Sequence, residues 1–291
     1  MATAALSQSV LQHETIRPAI ASRILNSKEE LLKGDLGPAI RELLEERGVL
    51  VFKKINFTDA EQIAFTKTLG EFAPEGMDGE NVSKITVNPE LNSEGAEYLK
   101  GSLYWHIDGT MNDVPILASL LSCHTPAAKG TGNTGFCNTY AAWDALPDDR
   151  KDALRDLRAI HAVWPTIFYY EPEPPVAKLQ GMFRVGENEL PLVWKHQTGR
   201  ESLVLGCTTL RIIDKTPFES AEIIHGLREW ATQEQFSYSH EWDAGDLVIW
   251  DNTGTMHRAM PYDHKSGRLM HRTKLQGEEA MQMLERGVPV W

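Results

Sequence analysis

Short apolar runs bounded by turn residues restrict what this chain can become. Val49-Leu50-Val51-Phe52, Ile116–His124 and Leu247–Trp250 are too short for core helices and read as buried strands. Thr134–Asn138 follows the turn Gly130-Thr131-Gly132-Asn133. Phe236, Tyr238, His240 and Trp242 alternate with polar residues, as in a half-buried strand. Pro191–His196 and Ser202–Leu205 flank Thr198-Gly199-Arg200, a hairpin signal. Val82–Val87 is a further candidate strand, and a last strand covers Arg268–Leu275. Helical signals are fewer. One helix opens at Gly37-Pro38 and stops at Gly48, and another runs from the capping box Thr58–Glu61 to Leu69-Gly70. A third follows Pro147, and a fourth opens with the box Thr216–Glu219, with Pro217 at its first position. Helices sit between groups of strands, not in alternation with them. The pattern predicts a mainly β fold, an antiparallel sandwich or barrel with peripheral helices, in a single domain over residues 1–291.

The net charge of −12 argues against a nucleic-acid backbone or an anionic membrane as partner. A small anionic substrate needs only local cations, so a small-molecule partner stays open. Cys123, Cys137 and Cys207 are odd in number and widely spaced, which fits reduced thiols in a cytoplasm. No run has the length of a membrane span, and the N-terminus lacks the basic and apolar regions of a secretory signal. The expected address is cytoplasmic.

The chemistry centres on Trp105-His106-Ile107-Asp108-Gly109-Thr110. On an extended backbone, His106 and Asp108 project to one side and offer two ligands to a divalent metal. Tyr104 and Trp105 would shield such a site, and Gly109 lets the chain turn away. Taken alone, the pair reads more readily as a satisfied hydrogen-bonded turn than as a metal site. His257, within Trp250-Asp251-Asn252-Thr253-Gly254-Thr255-Met256-His257, stands just after a buried strand and a turn and is the candidate third ligand. Two histidines and one carboxylate on one side of a metal leave the other side open, the facial triad of non-haem Fe(II) oxygenases. Arg268, Met270 and Arg272 face one way on a strand. If that way is inward, two guanidinium groups lie near the metal and form a carboxylate clamp. Thr134 offers a hydroxyl donor to the same carboxylate.

These pieces resemble the taurine and phenoxyacetate dioxygenase family of Fe(II)/α-ketoglutarate-dependent enzymes. The matching segments are Trp105–Asp108, Gly132-Asn133-Thr134 with Thr139–Leu146, Trp250-Asp251-Asn252 with His257-Arg258-Ala259, and Arg268–Thr273, in the family's order over most of residues 36–277. The resemblance implies a double-stranded β-helix (jelly-roll, cupin-like) core. It implies His106, Asp108 and His257 as iron ligands, and Arg268 with Thr134 on the distal carboxylate of α-ketoglutarate (2-oxoglutarate). The activity it implies is hydroxylation of a C–H bond with O2, releasing succinate and CO2, by a homodimer or homotetramer. Arg272 matches the arginine that holds the anionic end of the substrate in taurine-type members. Gly109 falls beside the substrate entrance, with Tyr104 at its rim. No histidine follows Gly70-Glu71-Phe72, and Ser102 stands where taurine enzymes carry an asparagine, so the implied substrate is not taurine but another small or medium molecule, carboxylate-bearing in our reading.

Two rival readings share the scaffold. A halogenase needs a small residue in the place of Asp108, and a desaturase would differ in product mass. A non-catalytic jelly-roll sensor of a metal or small acid would not need the arginine clamp. The aromatic, proline-rich stretch from Trp164 to Pro175 cannot be a regular helix or central strand. Its Phe168 and Tyr169 are candidate pocket-lining residues. Residues 73–101 read as a mobile lid or binding loop. His124, His161, His196, His225, His240 and His271 read as structural, because none has a carboxylate two residues on.

Overall fold

All four residues of Val49–Phe52 are buried, Leu50 and Phe52 in one apolar cluster and Val49 and Val51 in another. A strand covered on both faces needs a layer on each side. The computed structural model describes residues 9–74, 79, 81–88, 90, 92 and 98–281. Its first strands are β1 His13–Thr15, β2 Ser22–Ile24, β3 Val49–Phe52, β4 Ser83–Ile85, β5 Ala118–Thr125 and β6 Thr134–Asn138. There follow β7 Arg158–Ala162, β8 Glu187–Pro191, β9 Val193–Lys195, β10 Glu201–Leu203 and β11 Thr209–Ile212. The last are β12 Ser237–His240, β13 Leu247–Asp251, β14 Thr255–Ala259 and β15 Leu269–Leu275. The α-helices are α1 Lys28–Leu31, α2 Gly37–Arg47, α3 Asp59–Leu69, α4 Thr139–Asp144, α5 Asp148–Leu154, α6 Val176–Phe183 and α7 Pro217–Ala231.

The large sheet runs β1-β2-β3-β13-β5-β15-β4, antiparallel except for the β2–β3 pair. A smaller antiparallel sheet, β12-β6-β14, supplies the opposite wall. Val51, Leu121, Val248 and Met270 from the first meet Phe136 from the second. These are the two walls of a jelly roll. The alternate residues Leu50, Leu120, Ile249 and Leu275 face outward, under Ile40 and Leu44 of α2 and Phe65 of α3. The period of two along each strand thus splits one sheet between two cores. A further core joins Leu190, Trp194 and Leu203 to Trp143 of α4 and Leu227 of α7. No helix among the described residues is long and apolar enough to cross a membrane.

Local chemistry sets the helix starts. Thr58 and Thr216 each accept from the backbone N–H of a glutamate three residues on, whose side chain accepts from the threonine N–H in return. Several elements depart from the sequence-based expectation. His257 follows a buried strand, β13, and a turn, as expected, but is itself part of a further strand, β14. Thr139–Asp144 is helical, and β7, β8 and β11 form a three-stranded sheet. The aromatic stretch makes one 3-10 segment, Trp164–Tyr169, before α6. Much of the 73–101 loop lies outside the described residues, and its candidate strand is shortened to β4.

Phe65 is fully buried, edge-on to Phe52 at 5.6 Å and tilted against Phe57 at 5.3 Å. Phe65→Ala should lower unfolding free energy by about 3–5 kcal/mol, measured by urea denaturation.

Candidate active site

His106 and His257 face each other across an isolated antiparallel bridge. The His106 N–H donates to the His257 carbonyl at 3.0 Å, and the His257 N–H donates back at 2.9 Å. Residues paired this way put their side chains on one face, and the two rings lie 4.1 Å apart. Asp108, two residues beyond His106, reaches the same side. Its Oδ1 is 3.6 Å from His106 Nε2, and its Oδ2 is 3.9 Å from His257 Nε2. The three donor atoms all lie within 4.8 Å of one another.

The surroundings prepare the donors. His106 Nδ1 lies 2.8 Å from the Tyr104 carbonyl, which places the ring proton there and leaves the Nε2 lone pair free. His257 packs against Trp250 at 4.7 Å and Phe136 at 6.5 Å. Burial pushes its pKa well below the usual value, so the imidazole is neutral, as a ligand must be. Burial also works to raise the pKa of Asp108. Charge attraction outweighs that and holds it below the usual carboxylate range, with Arg272 and Lys274 the permanent cations beside it. Arg272 Nη1 is 3.4 Å from Asp108 Oδ2. Two imidazoles and an ionised carboxylate converging on one point fit a divalent metal ion.

Sequence reasoning gave Asn252 no role. Its Oδ1 accepts from the Asp108 N–H at 2.9 Å, while its Nδ2 donates to the Asp108 carbonyl at 2.8 Å and the Ile116 carbonyl at 3.0 Å. This buried amide clasps the Asp108 backbone from the turn that leads into β14. The only local signal was a polar residue directly after a buried strand.

Arg268 is 3% exposed, and its Nε has no hydrogen-bond partner among the described residues. Its guanidinium lies 4.8 Å from the Tyr262 ring. A Cβ on Gly132 would fall 3.2 Å from the arginine stem, so the glycine opens the place Arg268 fills. Thr134 follows two residues later, and its hydroxyl accepts from Trp242 Nε1 at 3.0 Å, leaving its own proton to donate. A buried cation with an unused N–H is suited to an anionic ligand.

At the rim, Tyr104 donates to the Tyr169 carbonyl at 2.6 Å, with the rings 4.7 Å apart. Gly109, at φ +83°, turns the chain directly after Asp108. The Ser102 hydroxyl turns back onto the Leu99 carbonyl at 2.6 Å. Phe168 is 43% exposed and meets Trp164 edge-on. Among the described residues, neither hydrogen-bonds to or stacks on His106, Asp108 or His257.

Residues 12–274 match the family described as taurine catabolism dioxygenase TauD, TfdA family. The chain is 30% identical over 254 residues to the (S)-phenoxypropionate/alpha-ketoglutarate-dioxygenase of Sphingobium herbicidovorans, covering 81% of this chain and 84% of the relative. It is 29% identical over 290 residues to the alpha-ketoglutarate-dependent 2,4-dichlorophenoxyacetate dioxygenase of a Burkholderia species, covering 92% and 95%. The solved structure of AAD-2 in complex with Mn(II) and N-oxalylglycine is similar at a TM-score of 0.78 and 26% identity, over 94% of this chain and all of the other. A taurine dioxygenase from Burkholderia xenovorans shares the fold, with a TM-score of 0.71, 24% identity and coverage of 92% and 91%.

Next to the clasp, burial raises the pKa of Asp251 from 3.8 to about 6, despite hydrogen bonds from the Thr253 N–H and hydroxyl. A carboxyl raised in the folded state binds its proton more tightly there. Its contribution to stability is therefore present in acid and lost as pH rises through about 6. Asp251→Asn keeps an acceptor for Thr253 and removes the charge. Its stability relative to native should grow by about 1 kcal/mol between pH 5 and pH 8 in urea titrations.

Proposed function

The chain belongs to the taurine catabolism dioxygenase TauD, TfdA family, and from that premise we propose that His106, Asp108 and His257 hold its Fe(II) while Arg268 and Thr134 take the far carboxylate of α-ketoglutarate. The chain is a non-haem iron, α-ketoglutarate-dependent dioxygenase of small organic substrates. It couples hydroxylation of a C–H bond to the conversion of α-ketoglutarate and O2 into succinate and CO2. The bound iron supplies one open face on which co-substrate and O2 are activated together. The observation that carries the ligand assignment is the reciprocal His106–His257 bridge, with Asp108 facing both rings.

The protein's own groups do the positioning. Tyr104 fixes the His106 tautomer, and Asn252 fixes the Asp108 backbone. Arg268 supplies the fixed charge that sets the depth of α-ketoglutarate. Arg272, already beside Asp108, receives the carboxylate of the prime substrate, and Tyr104 and Tyr169 flank its apolar body, with Gly109 at the entrance and Phe168 and Ser102 further out. The substrate class in this reading is a small carboxylic acid with an apolar body, as in the aryloxyalkanoic acids that the relatives' names carry. Hydroxylation of a carbon bearing an ether oxygen gives a hemiacetal, which splits without further help. The whole chain acts as one catalytic domain with its core over about residues 36–277, assembled as a homodimer or homotetramer in the cytoplasm.

Anaerobic addition of Fe(II) and α-ketoglutarate should give the weak visible charge-transfer band of the chelate. His106→Ala should abolish it, and a band that survives in this variant sinks the ligand assignment. Asn252→Ala leaves the ligands in place but frees their backbone. Fe(II) affinity, titrated by the same band, should fall about 10–100-fold.

Substrate-triggered succinate release, screened over aryloxy acids, other carboxylic acids and sulfate esters, identifies the class. Arg272→Ala should raise the KM of a carboxylate substrate about 10–100-fold, the loss of one charged hydrogen bond. An unchanged KM would remove Arg272 from substrate binding.

A further inference from the structure

The outer face of β15 carries a second convergence of the same ligand types. Arg272 faces the active site, so His271, one residue earlier, faces the opposite way, toward the start of α3. There His271 Nδ1 lies 2.7 Å from Asp59 Oδ1. His124 Nε2 lies 3.6 Å from the same oxygen, and the two imidazoles stack with centroids 3.6 Å apart. One donor atom from each residue lies within 4.8 Å of the others.

We propose that Asp59, His124 and His271 form a second metal site, for Zn²⁺ or a similar imidazole-preferring divalent ion, behind the strand that carries Arg272. Each ligand is set by a different device. Asp59 opens α3 directly after Thr58, whose capping box fixes the first turn. His271 is nearly fully buried and sits on a central strand of the large sheet. His124 stands at an irregularity: Leu269 pairs with Thr125 and Met270 with Cys123, leaving His124 as the extra residue of a β-bulge. Bulges re-aim side chains, and here the re-aimed one is the second imidazole.

The donor separations suit the ion once one imidazole turns out of the 29° stack, so that both in-plane lone pairs meet it. Zinc–nitrogen bonds of about 2.0–2.1 Å in a tetrahedron put neighbouring donors about 3.4 Å apart. The His124–Asp59 separation of 3.6 Å is close to that. The 2.7 Å His271–Asp59 contact opens by less than 1 Å when a cation takes the place of the shared proton. The Asp59 and His124 side chains keep 47% and 34% of their surface exposed, which gives the ion a path and leaves room for water to complete its shell. Imidazole nitrogens with one carboxylate favour zinc, copper or nickel over magnesium or calcium. A bound ion would tie the first turn of α3 to β5 and β15.

The test is Zn²⁺ titration of the tag-free full-length enzyme by calorimetry, with bound metal counted after dialysis. The native chain should take two ions, and His124→Ala one, with the second weakened at least about tenfold. His124→Ala should keep the charge-transfer band with Fe(II) and α-ketoglutarate. In His106→Ala/His257→Ala, one ion should remain and raise the thermal midpoint, and adding His124→Ala should remove both effects. Should the double variant not fold, the native and His124→Ala stoichiometries decide alone. One ion on the native chain, or a second ion held equally by His124→Ala, overturns the site and leaves a hydrogen-bonded cluster that pins α3.

Discussion

Two backbone hydrogen bonds, from His106 to the His257 carbonyl and back, are the constraint on which the candidate centre depends. Without them the segment carrying His106 and Asp108 would be an irregular loop beside the small sheet. With them it pairs antiparallel alongside β14, and strand geometry delivers both imidazoles to one side. Neighbouring contacts lock the segment from other directions. The Cys207 N–H donates to the Trp105 carbonyl at 2.7 Å, and the Asn252 amide closes on both backbone groups of Asp108. The three candidate ligands are thereby fixed largely through main-chain bonds, leaving their side chains free to meet an ion.

β15 shows how one strand serves several layers. Its inward residues are Met270 in the sandwich core and Arg272 beside Asp108. Its outward residues are His271 beside Asp59, Thr273 within hydrogen-bond reach of Gln62 and Thr66, and Leu275 in the helix-covered core. A register slip of one residue would exchange these sets, burying an arginine against α3 and turning His271 toward Asp108. The register is held along seven pairs with β5, so the contacts on both faces stand or fall together.

The elements legible in the sequence were those whose signal is local. Val49–Phe52 and Leu247–Trp250 are continuous apolar runs, and the Thr58 and Thr216 boxes mark their helices within four residues. β7 and β8 were not legible: Arg158–Ala162 follows a helix without a break signal, and Glu187–Pro191 is half polar. Their strand state comes from pairing with each other and with β11. The same divide runs through the sites. His106 and Asp108 share a tripeptide, and His257 could be matched to them by order along the chain. The Asn252 clasp and the Asp59–His124–His271 cluster have no such spacing. His124 and His271 read as structural because each was weighed by the residue two places on. Their shared carboxylate is on α3, far away in the sequence and adjacent only in the fold.

Charge closes the argument. The chain is strongly acidic at −12, yet Arg268, Arg272 and Lys274 succeed one another along or just before β15. For an anionic co-substrate such local cations matter more than the net charge, which is repulsive at long range. The charges of Arg272 and Lys274 also favour ionised Asp108 against the cost of its burial. The carboxylate is thus already in the ionised form that a metal ligand would need. Replacing either cation by a neutral residue would remove part of the field that keeps Asp108 ionised.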